Sequence, residues 1–156
     1  MTYDARQVAN WFVTRAQRDG RVLSIMSLLK LTYISHGWHL EMRDTPLFPN
    51  RIEAWQHGPV IPDVYHDFRR QGIDVTSVSS AVPTPELDQW TAGLLEQIYA
   101  NYGNLTPFRL SDLTHVHGGP WDLARQTGGW YAPIPDDMIR QHYKLKRLEA
   151  SQPADA

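Results

Sequence analysis

The pattern of apolar and polar side chains predicts two helices at the start of the chain. Asp4 can cap the first helix, and Gly20 follows its end. Its apolar residues recur every three or four positions: Ala5, Val8, Ala9, Phe12 and Ala16. Ser24 can cap a second helix that reaches about Arg43 and is apolar on nearly every side. We therefore expect the second helix to lie at the centre of the fold.

Gly37 lies in the interior of this second helix. A glycine at such a position costs about 1 kcal/mol relative to alanine, because the unfolded chain loses more freedom there. The position therefore predicts that another backbone crosses the helix closely at Gly37.

Alternating side chains from 51 to 56 predict a short strand, which Gly58 and Pro59 end. Pro62 and Asp63 fit the first turn of a third helix that runs from Asp63 to about Gln71. Residues 73–85 are rich in Ser, Thr, Val and Pro, which predicts an irregular surface loop. We expect this loop to be the best candidate for a mobile segment.

The second half of the chain predicts further helices separated by glycine and proline breaks. Pro85 and Glu86 can open a fourth helix that reaches Tyr102. Ser111 can cap a short helix, and a Gly-Gly-Pro-Trp turn leads into another that ends at a Gly-Gly pair. Asp136 can cap the last helix.

These elements together predict a mainly α, compact, single-domain fold. We expect about six helices and a small β element, the short strand near 51–56. The domain should span residues 1–148, and residues 149–156 should form a flexible C-terminal tail.

Charge and composition narrow the classes of function. The formal net charge is −2 and the pI is about 6.4, so we expect no nucleic acid partner bound by phosphate neutralisation. The chain has no cysteine, which excludes disulfides and thiolate metal sites. No apolar segment reaches the roughly 20 residues that span a bilayer, and no signal peptide is present. A cytoplasmic protein without membrane contact is expected.

One constellation favours a metal-dependent hydrolase. His36 and His39 lie three apart on the second helix, and Glu53 and His115 could complete a ligand set. Histidines without a defined ligand frame are more often structural, and the helical His-Glu-x-x-His pattern is absent. No GxSxG nucleophile elbow occurs either. We therefore expect no catalytic residue, no cofactor and no metal, and keep this hydrolase as an alternative.

Aromatic residues make up 11% of the chain, with six Trp. Taken singly, these rings are more often core residues than binding residues: Trp38, Trp55, Tyr65, Phe68, Trp121, Trp130 and Tyr131. The segments "WQHGPVIPDVYH" and "THVHGGPW" are exceptions, because each concentrates special residues at a break in regular structure. These two segments are the candidates for function.

Three segments in this order resemble a known family: "LLKLTYISHGWHLEMRDTPLF", "IEAWQHGPVIPDVYHDFRRQG" and "LSDLTHVHGGPW". They are similar to the Panacea antitoxin domain, also called the SocA-like or phage-associated GepA-like family. The resemblance covers about residues 4–148. The matching motif positions are Lys30, Gly37, Trp38, Glu53, Ala54, Trp55, Gly58, Pro59, Val60, Pro62, Tyr65, Thr114, His115, Gly119, Pro120 and Trp121.

The resemblance implies a mainly α-helical antitoxin without catalysis of its own, which binds a toxin encoded beside it. Delivery of that toxin to a protease is an alternative mechanism. Some members carry a DNA-binding segment before the domain; here the match begins near the first residue, so we expect none. A homo-oligomeric state stays open.

The motif residues either form the scaffold or contact the toxin. A domain that meets diverse toxins should keep its frame and vary its contacts. We expect Trp55, Tyr65, Arg69 and Arg70 to contact the toxin, together with the loop at 73–85 and exposed helix faces.

Overall fold

A computed structural model of the chain describes residues 2–151. This part is mainly helical, as predicted. Its helices are α1 (Ala5–Arg18), α2 (Ile25–Arg43), α3 (Pro62–Phe68), α4 (Gln89–Tyr102), α5 (Pro107–Thr114), α6 (Pro120–Gly128) and α7 (Asp136–Ala150), with a 3-10 turn at Arg69–Gln71. Its strands are β1 (Leu23–Ser24), β2 (Glu53–Trp55), β3 (Gly58–Val60) and β4 (Asp74–Val75).

The caps of α1 and α2 are those that the sequence predicts. The Asp4 carboxylate accepts the Arg6 N–H at 2.9 Å, and the Asp4 N–H donates to the Gln7 side chain at 3.0 Å. Ser24 Oγ accepts the Ser27 N–H at 3.1 Å. Each contact satisfies an N–H that the first helical turn leaves without a partner.

The helix α2 lies at the centre of the fold, because it is apolar on all sides and can be buried all round. It contacts α1, α3, α4, α5 and α7, and its residues from Ser27 to Gly37 are all buried. Five of the other helices of residues 2–151 therefore pack directly on α2, while α6 packs on β2 and α7.

The β structure is confined to two small antiparallel sheets. In one, β1 pairs with β4; in the other, β2 pairs with β3, with Trp55 opposite Gly58 and Glu53 opposite Val60. The strand predicted near 51–56 is β2. Its partner β3 was predicted as the end of that strand, but Gly58 has φ +120°, which turns the chain back beside it.

Three predicted helix starts are wrong, and in two of them another side chain makes the cap. The helix α4 begins at Gln89 and not at Pro85 or Glu86, since the Asp88 carboxylate accepts the Thr91 N–H at 2.8 Å. The helix α5 begins at Pro107 under a Thr106 cap, so Ser111 lies inside it.

The third concerns α7, where the cap position is Pro135 and Asp136 is the first helical residue. The Asp136 carboxylate lies 2.9 Å from His36 Nε2 instead of capping the helix. This contact ties the start of α7 to α2.

A side chain, and not a backbone, makes the close approach predicted at Gly37. The ring of Tyr143, on α7, packs directly against Gly37, and a Cβ added there would lie 2.7 Å from Tyr143 Cζ, with two other ring carbons nearer still. Real Cβ atoms do not approach a ring so closely. The glycine is therefore required by the packing of α7 on α2.

The segment 73–85 is fastened along α1. Its residues 74 and 75 form β4, Asn10 exchanges two hydrogen bonds with the Ser79 backbone, and Gln17 donates to the Thr76 carbonyl at 2.7 Å. The Ser79 hydroxyl donates to Asp67. The loop predicted as mobile is thus held by side chains from two helices.

At the C-terminus, α7 continues through Ala150, two residues into the predicted tail, while residues 152–156 of that tail lie outside the described residues. Within residues 2–151, no helix is both long enough and apolar enough to cross a membrane.

Candidate functional site

The hairpin β2–β3 stands on α2 and α5, and its turn depends on Gly58. A Cβ at this position would lie 3.0 Å from Lys30 Nζ and 3.6 Å from His115 Nδ1, so the two side chains meet beneath the hairpin. The positive φ of Gly58 also disfavours any residue with a side chain. These motif residues therefore pack together as a unit.

Lys30 is buried under the hairpin with 2% of its surface exposed. Its Nζ donates to the Pro59 carbonyl at 2.9 Å, and no carboxylate within residues 2–151 forms an ion pair with it. Burial away from water lowers the pKa of Lys30 to about 7, because it penalises the charged form. The lysine thus fixes the position of β3 at an electrostatic cost.

Ser111 and His115 attach α5 to the tip of the hairpin. Ser111 Oγ donates to the His57 carbonyl at 2.7 Å and lies 3.1 Å from His115 Nδ1. The hydroxyl has one proton, and the carbonyl can only accept, so His115 Nδ1 must carry the proton of the second contact. A histidine in this state cannot act as a base towards Ser111, and the pair is structural.

The helix α6 is attached to the same hairpin by Trp121, whose Nε1 donates to the Trp55 carbonyl at 2.6 Å. Gly119 precedes the helix and Pro120 is its first residue, a position where the missing N–H of proline costs nothing. The Gly-Gly-Pro-Trp turn therefore determines where Trp121 packs against the hairpin. We call the region formed by the hairpin, α5 and the start of α6 the hairpin corner.

The chain between α6 and α7 extends the hairpin on the open side of β2. Ala54 donates to the Ala132 carbonyl at 2.9 Å and accepts from the Tyr131 N–H at 2.8 Å. Tyr131 has φ +66°, a left-handed conformation that costs a residue with a Cβ roughly 1–2 kcal/mol. Strain of this kind often marks a functional position. Here it aims the Tyr131 ring across Trp55.

The corner presents a row of rings with an arginine at each end, which we call the aromatic stripe: Arg69, Tyr65, Trp55, Tyr131, Trp130 and Arg125. The Trp55 ring lies 4.9 Å from Tyr65 and 5.5 Å from Tyr131. The guanidinium of Arg69 lies 6.0 Å from the Tyr65 ring. At the other end, the guanidinium of Arg125 lies 4.8 Å from the Trp130 ring.

The rings in the half of the aromatic stripe towards Arg125 are open to solvent. Trp130 is 52% exposed and Tyr131 is 61% exposed, whereas Trp55 and Tyr65 are half-buried. Trp55 also donates its Nε1 to Glu53 at 2.9 Å, so its orientation is fixed. Trp55 and Tyr65 therefore pack against the core on one side and lie beside the exposed rings on the other.

The family motif residues divide by burial. The buried members are Lys30, Gly37, Ala54, Gly58, Pro59, Val60, Thr114, Gly119 and Pro120. The half-buried members are Trp38, Glu53, Trp55, Pro62, Tyr65, His115 and Trp121. No member is fully exposed, whereas the predicted contacts Arg69 and Arg70 are exposed.

Sequence reasoning missed Trp130, Tyr131 and Arg125 as site residues. The two rings were expected in the core, and Arg125 carried no signal. A tryptophan and a tyrosine directly after a Gly-Gly break are the signal that could have found the rings, because a break seldom allows burial of two adjacent large side chains.

The residues of the alternative metal site do not come together. His36 Nε2 contacts Asp136, His39 Nδ1 lies 2.7 Å from the Thr45 carbonyl, and Glu53 and His115 lie in the hairpin corner. Within residues 2–151, no group of three metal-ligating side chains could hold an ion. The geometry gives the hydrolase alternative no support.

A groove lies between α2 and α4, with a volume of about 500 Å³. Trp38, Trp90 and Leu94 contribute its apolar walls, and Gly93 lies at its edge. It is separate from the aromatic stripe, and no motif residue other than Trp38 lines it.

Comparison with known proteins gives two matches. The model of the family described as "Antitoxin SocA-like, Panacea domain" matches residues 28–122. The chain is 30% identical over 164 aligned residues to "Antitoxin SocA" of Caulobacter vibrioides (strain NA1000 / CB15N), covering 96% of this chain and 87% of that protein. No solved structure matches the chain. The family match spans α2, the hairpin and the start of α6, which are the elements that build the corner.

Proposed function

Because the chain belongs to the SocA-like Panacea antitoxin family, we propose that it neutralises a cognate toxin, encoded by an adjacent gene, by direct protein–protein binding. The observation that supports this most is the aromatic stripe, in which Trp130 and Tyr131 are exposed. Membership in an antitoxin family favours a role in binding over a role in catalysis.

The composition of the stripe is that of a protein-binding hot spot. Trp, Tyr and Arg dominate the binding energy of protein interfaces, where a few well-supported side chains carry most of it. A stable interface buries roughly 800 Å² per partner, which is more than the stripe alone supplies. Neighbouring residues such as Arg70 and His66 would complete the contact area.

The stripe is also held rigid before any partner arrives. The strand β2 is paired on both edges, with β3 at Trp55 and with residues 131 and 132 at Ala54. The Trp55 indole N–H donates to Glu53, and the Tyr131 N–H donates to the Ala54 carbonyl. Rigid side chains lose little conformational freedom on binding, which leaves more of the contact energy as affinity. Motif residues beneath the hairpin would supply this rigidity, and the exposed rings would supply the contacts.

The test is to express the adjacent gene alone and together with this chain. We expect growth arrest from the neighbour alone, rescue by the wild-type chain, and loss of rescue by the double variant Trp130→Ala, Tyr131→Asn. Asn tolerates the left-handed backbone at 131, so this variant removes the ring without adding strain. A purified complex should form with the wild type and weaken at least tenfold with the double variant.

Phe108→Ala is the matched control, since Phe108 is 77% exposed on α5 and lies outside the stripe. It should rescue growth as the wild type does, and thermal unfolding should show that all variants fold. A neighbour that is harmless when expressed alone would contradict the proposed function. Rescue by a correctly folded double variant would remove the stripe from it.

A further inference from the structure

The guanidinium of Arg125 is the least compensated charge in the corner. It lies beside two indoles, 5.5 Å from the Trp121 ring and 4.8 Å from the Trp130 ring. Its buried Nε has no hydrogen-bond partner within residues 2–151. The rings restrict the position of the arginine, whose terminal nitrogens are donors suited to a carboxylate.

The other end of the aromatic stripe has the same sign of charge. Arg69 and Arg70 are exposed, and neither forms an ion pair with a carboxylate of residues 2–151. The Arg69 guanidinium lies over the Tyr65 ring. Cations therefore flank the exposed rings on both sides.

The carboxylates near the stripe are already engaged. Glu53 accepts from Trp55 Nε1 and pairs with Arg51 at 2.7 Å. Asp122 accepts the Gly118 N–H at 2.8 Å, and hydrogen bonding there lowers the pKa of its carboxyl group. The charge of Arg125 also helps to lower the pKa of Asp122, but within residues 2–151 neither acid forms an ion pair with Arg69, Arg70 or Arg125.

We propose that the aromatic stripe binds a segment of the toxin that has apolar side chains at its centre and a carboxylate towards each end. This inference rests on the proposed function and names the chemistry of the partner. The apolar centre packs on Trp130 and Tyr131, one carboxylate pairs with Arg125, and the other pairs with Arg69 or Arg70. Opposite charges at the ends also set the direction and register of the segment.

Single-stranded nucleic acid is the other class that binds arginines and stacked rings. The observations favour a protein segment, because nucleic acid binding relies on a groove of many cations. Here the flanks hold three arginines that form no ion pair within residues 2–151, and the chain has a net charge of −2. A short run of uracil nucleotides is therefore included as a probe in the test.

The first experiment measures binding of the adjacent gene's product by isothermal titration at low and physiological salt. We expect Arg125→Glu and the double variant Arg69→Glu, Arg70→Glu each to raise the Kd at least tenfold at low salt, with smaller losses at higher salt. Arg125→Lys keeps the charge but loses the fork, and should raise the Kd severalfold.

The matched control is Arg109→Glu, which makes the same charge change on α5. Arg109 lies two residues before Ser111, so it projects from the opposite side of α5 to the hairpin. Glu at this position can form a capping box with Thr106, so the helix should not weaken. Binding losses at Arg125 and Arg69 no larger than the loss at Arg109 would overturn the proposal, while rescue by the wild type would leave the proposed function intact.

The second experiment needs no toxin. Two synthetic peptides share a centre of four Leu and Phe residues, and carry two Glu or two Lys at each end. The Glu peptide should shift the indole N–H resonances of Trp55, Trp121 and Trp130 in the wild type and not in Arg125→Glu. Equal shifts with the Lys peptide, or shifts with oligouridine and not with the Glu peptide, would contradict the proposal.

Discussion

The hairpin corner has two layers that serve opposite purposes. The lower layer, which we call the frame, consists of Lys30, Gly58, Pro59 and Pro120, together with Gly37 farther along α2, where α7 packs on it; all are buried. The upper layer is the aromatic stripe. In the frame, a Cβ added at Gly37 would overlap the Tyr143 ring, and one added at Gly58 would lie 3.0 Å from Lys30 Nζ. In the stripe, Trp130 and Tyr131 leave half or more of their surfaces to solvent.

We propose that this difference lets a common frame present different contacts. Frame residues are constrained by packing inside the molecule, so substitutions there should damage the fold. Residues 130 and 131 are positioned by backbone pairing beside β2, which restricts their side chains less. The family motif positions are all buried or half-buried, and only Trp55 and Tyr65 among them also belong to the stripe.

The largest expected effect in the frame is that of Gly37→Ala. The new methyl would overlap the Tyr143 ring, which is buried between α7 and α2 and has no space to withdraw. The gain of about 1 kcal/mol in helix propensity cannot offset this overlap. We expect the free energy of unfolding to fall by about 3 kcal/mol or more, measured by chemical denaturation.

A double-mutant cycle checks the cause. Tyr143→Leu removes the ring edge that faces Gly37, so Gly37→Ala should cost much less in that background. Additive losses in the two single variants would show that Tyr143 is not the reason for the glycine.

The second prediction is that Lys30 makes the free energy of unfolding depend on pH. Its pKa is about 7 in the folded protein, well below its ordinary value, so the unfolded chain holds more protons from about pH 7 to 10. Stability therefore rises with pH in that window as the cost of the buried charge disappears. From pH 7 to 9 the wild type should gain about 2 kcal/mol relative to Lys30→Met.

Other titrating groups lie outside this window. Burial lowers the pKa of His39 and of His142, so both titrate below pH 7. Burial raises the pKa of Tyr143, which therefore acts above pH 10 and in the opposite direction. The contrary result is a free energy of unfolding that changes by the same amount between pH 7 and 9 in the wild type and in Lys30→Met. It would mean that Lys30 is solvated or paired with a carboxylate.

Much of the frame could be predicted from the sequence, because its signals are local. The period of apolar residues identified α2 as the central helix, and Gly58 with Pro59 marked the corner. Gly37 predicted a close approach, but no local pattern could show that a ring from residue 143 makes it. Ser111 and Asp136 were predicted as caps for the same reason: the sequence shows a capping side chain but not the distant partner, His57 or His36, that takes it.

The stripe was only half predicted. Trp55, Tyr65, Arg69 and Arg70 lie within one short segment, where their density gave the signal. Trp130, Tyr131 and Arg125 join them through long-range pairing of residues 131–134 with β2, which no local periodicity encodes. Single tryptophans are more often buried, so exposure at 130 required the fold to be known.

Gly93 is the matched contrast to Gly37 and carries the smallest effect. It also lies inside a helix, α4, but a Cβ added there would meet no atom within 4 Å, and the position is exposed beside the groove between α2 and α4. Alanine there should raise the free energy of unfolding by roughly 0.5–1 kcal/mol through helix propensity alone. Alanine thus changes the free energy of unfolding in opposite directions at Gly37 and Gly93, because packing decides the first and chain entropy the second.

Denaturation of Gly93→Ala measures this gain, and toxin binding should equal that of the wild type. A loss of binding without a loss of stability would mean that the partner also covers the groove, and the contact surface would then extend beyond the stripe and its neighbours.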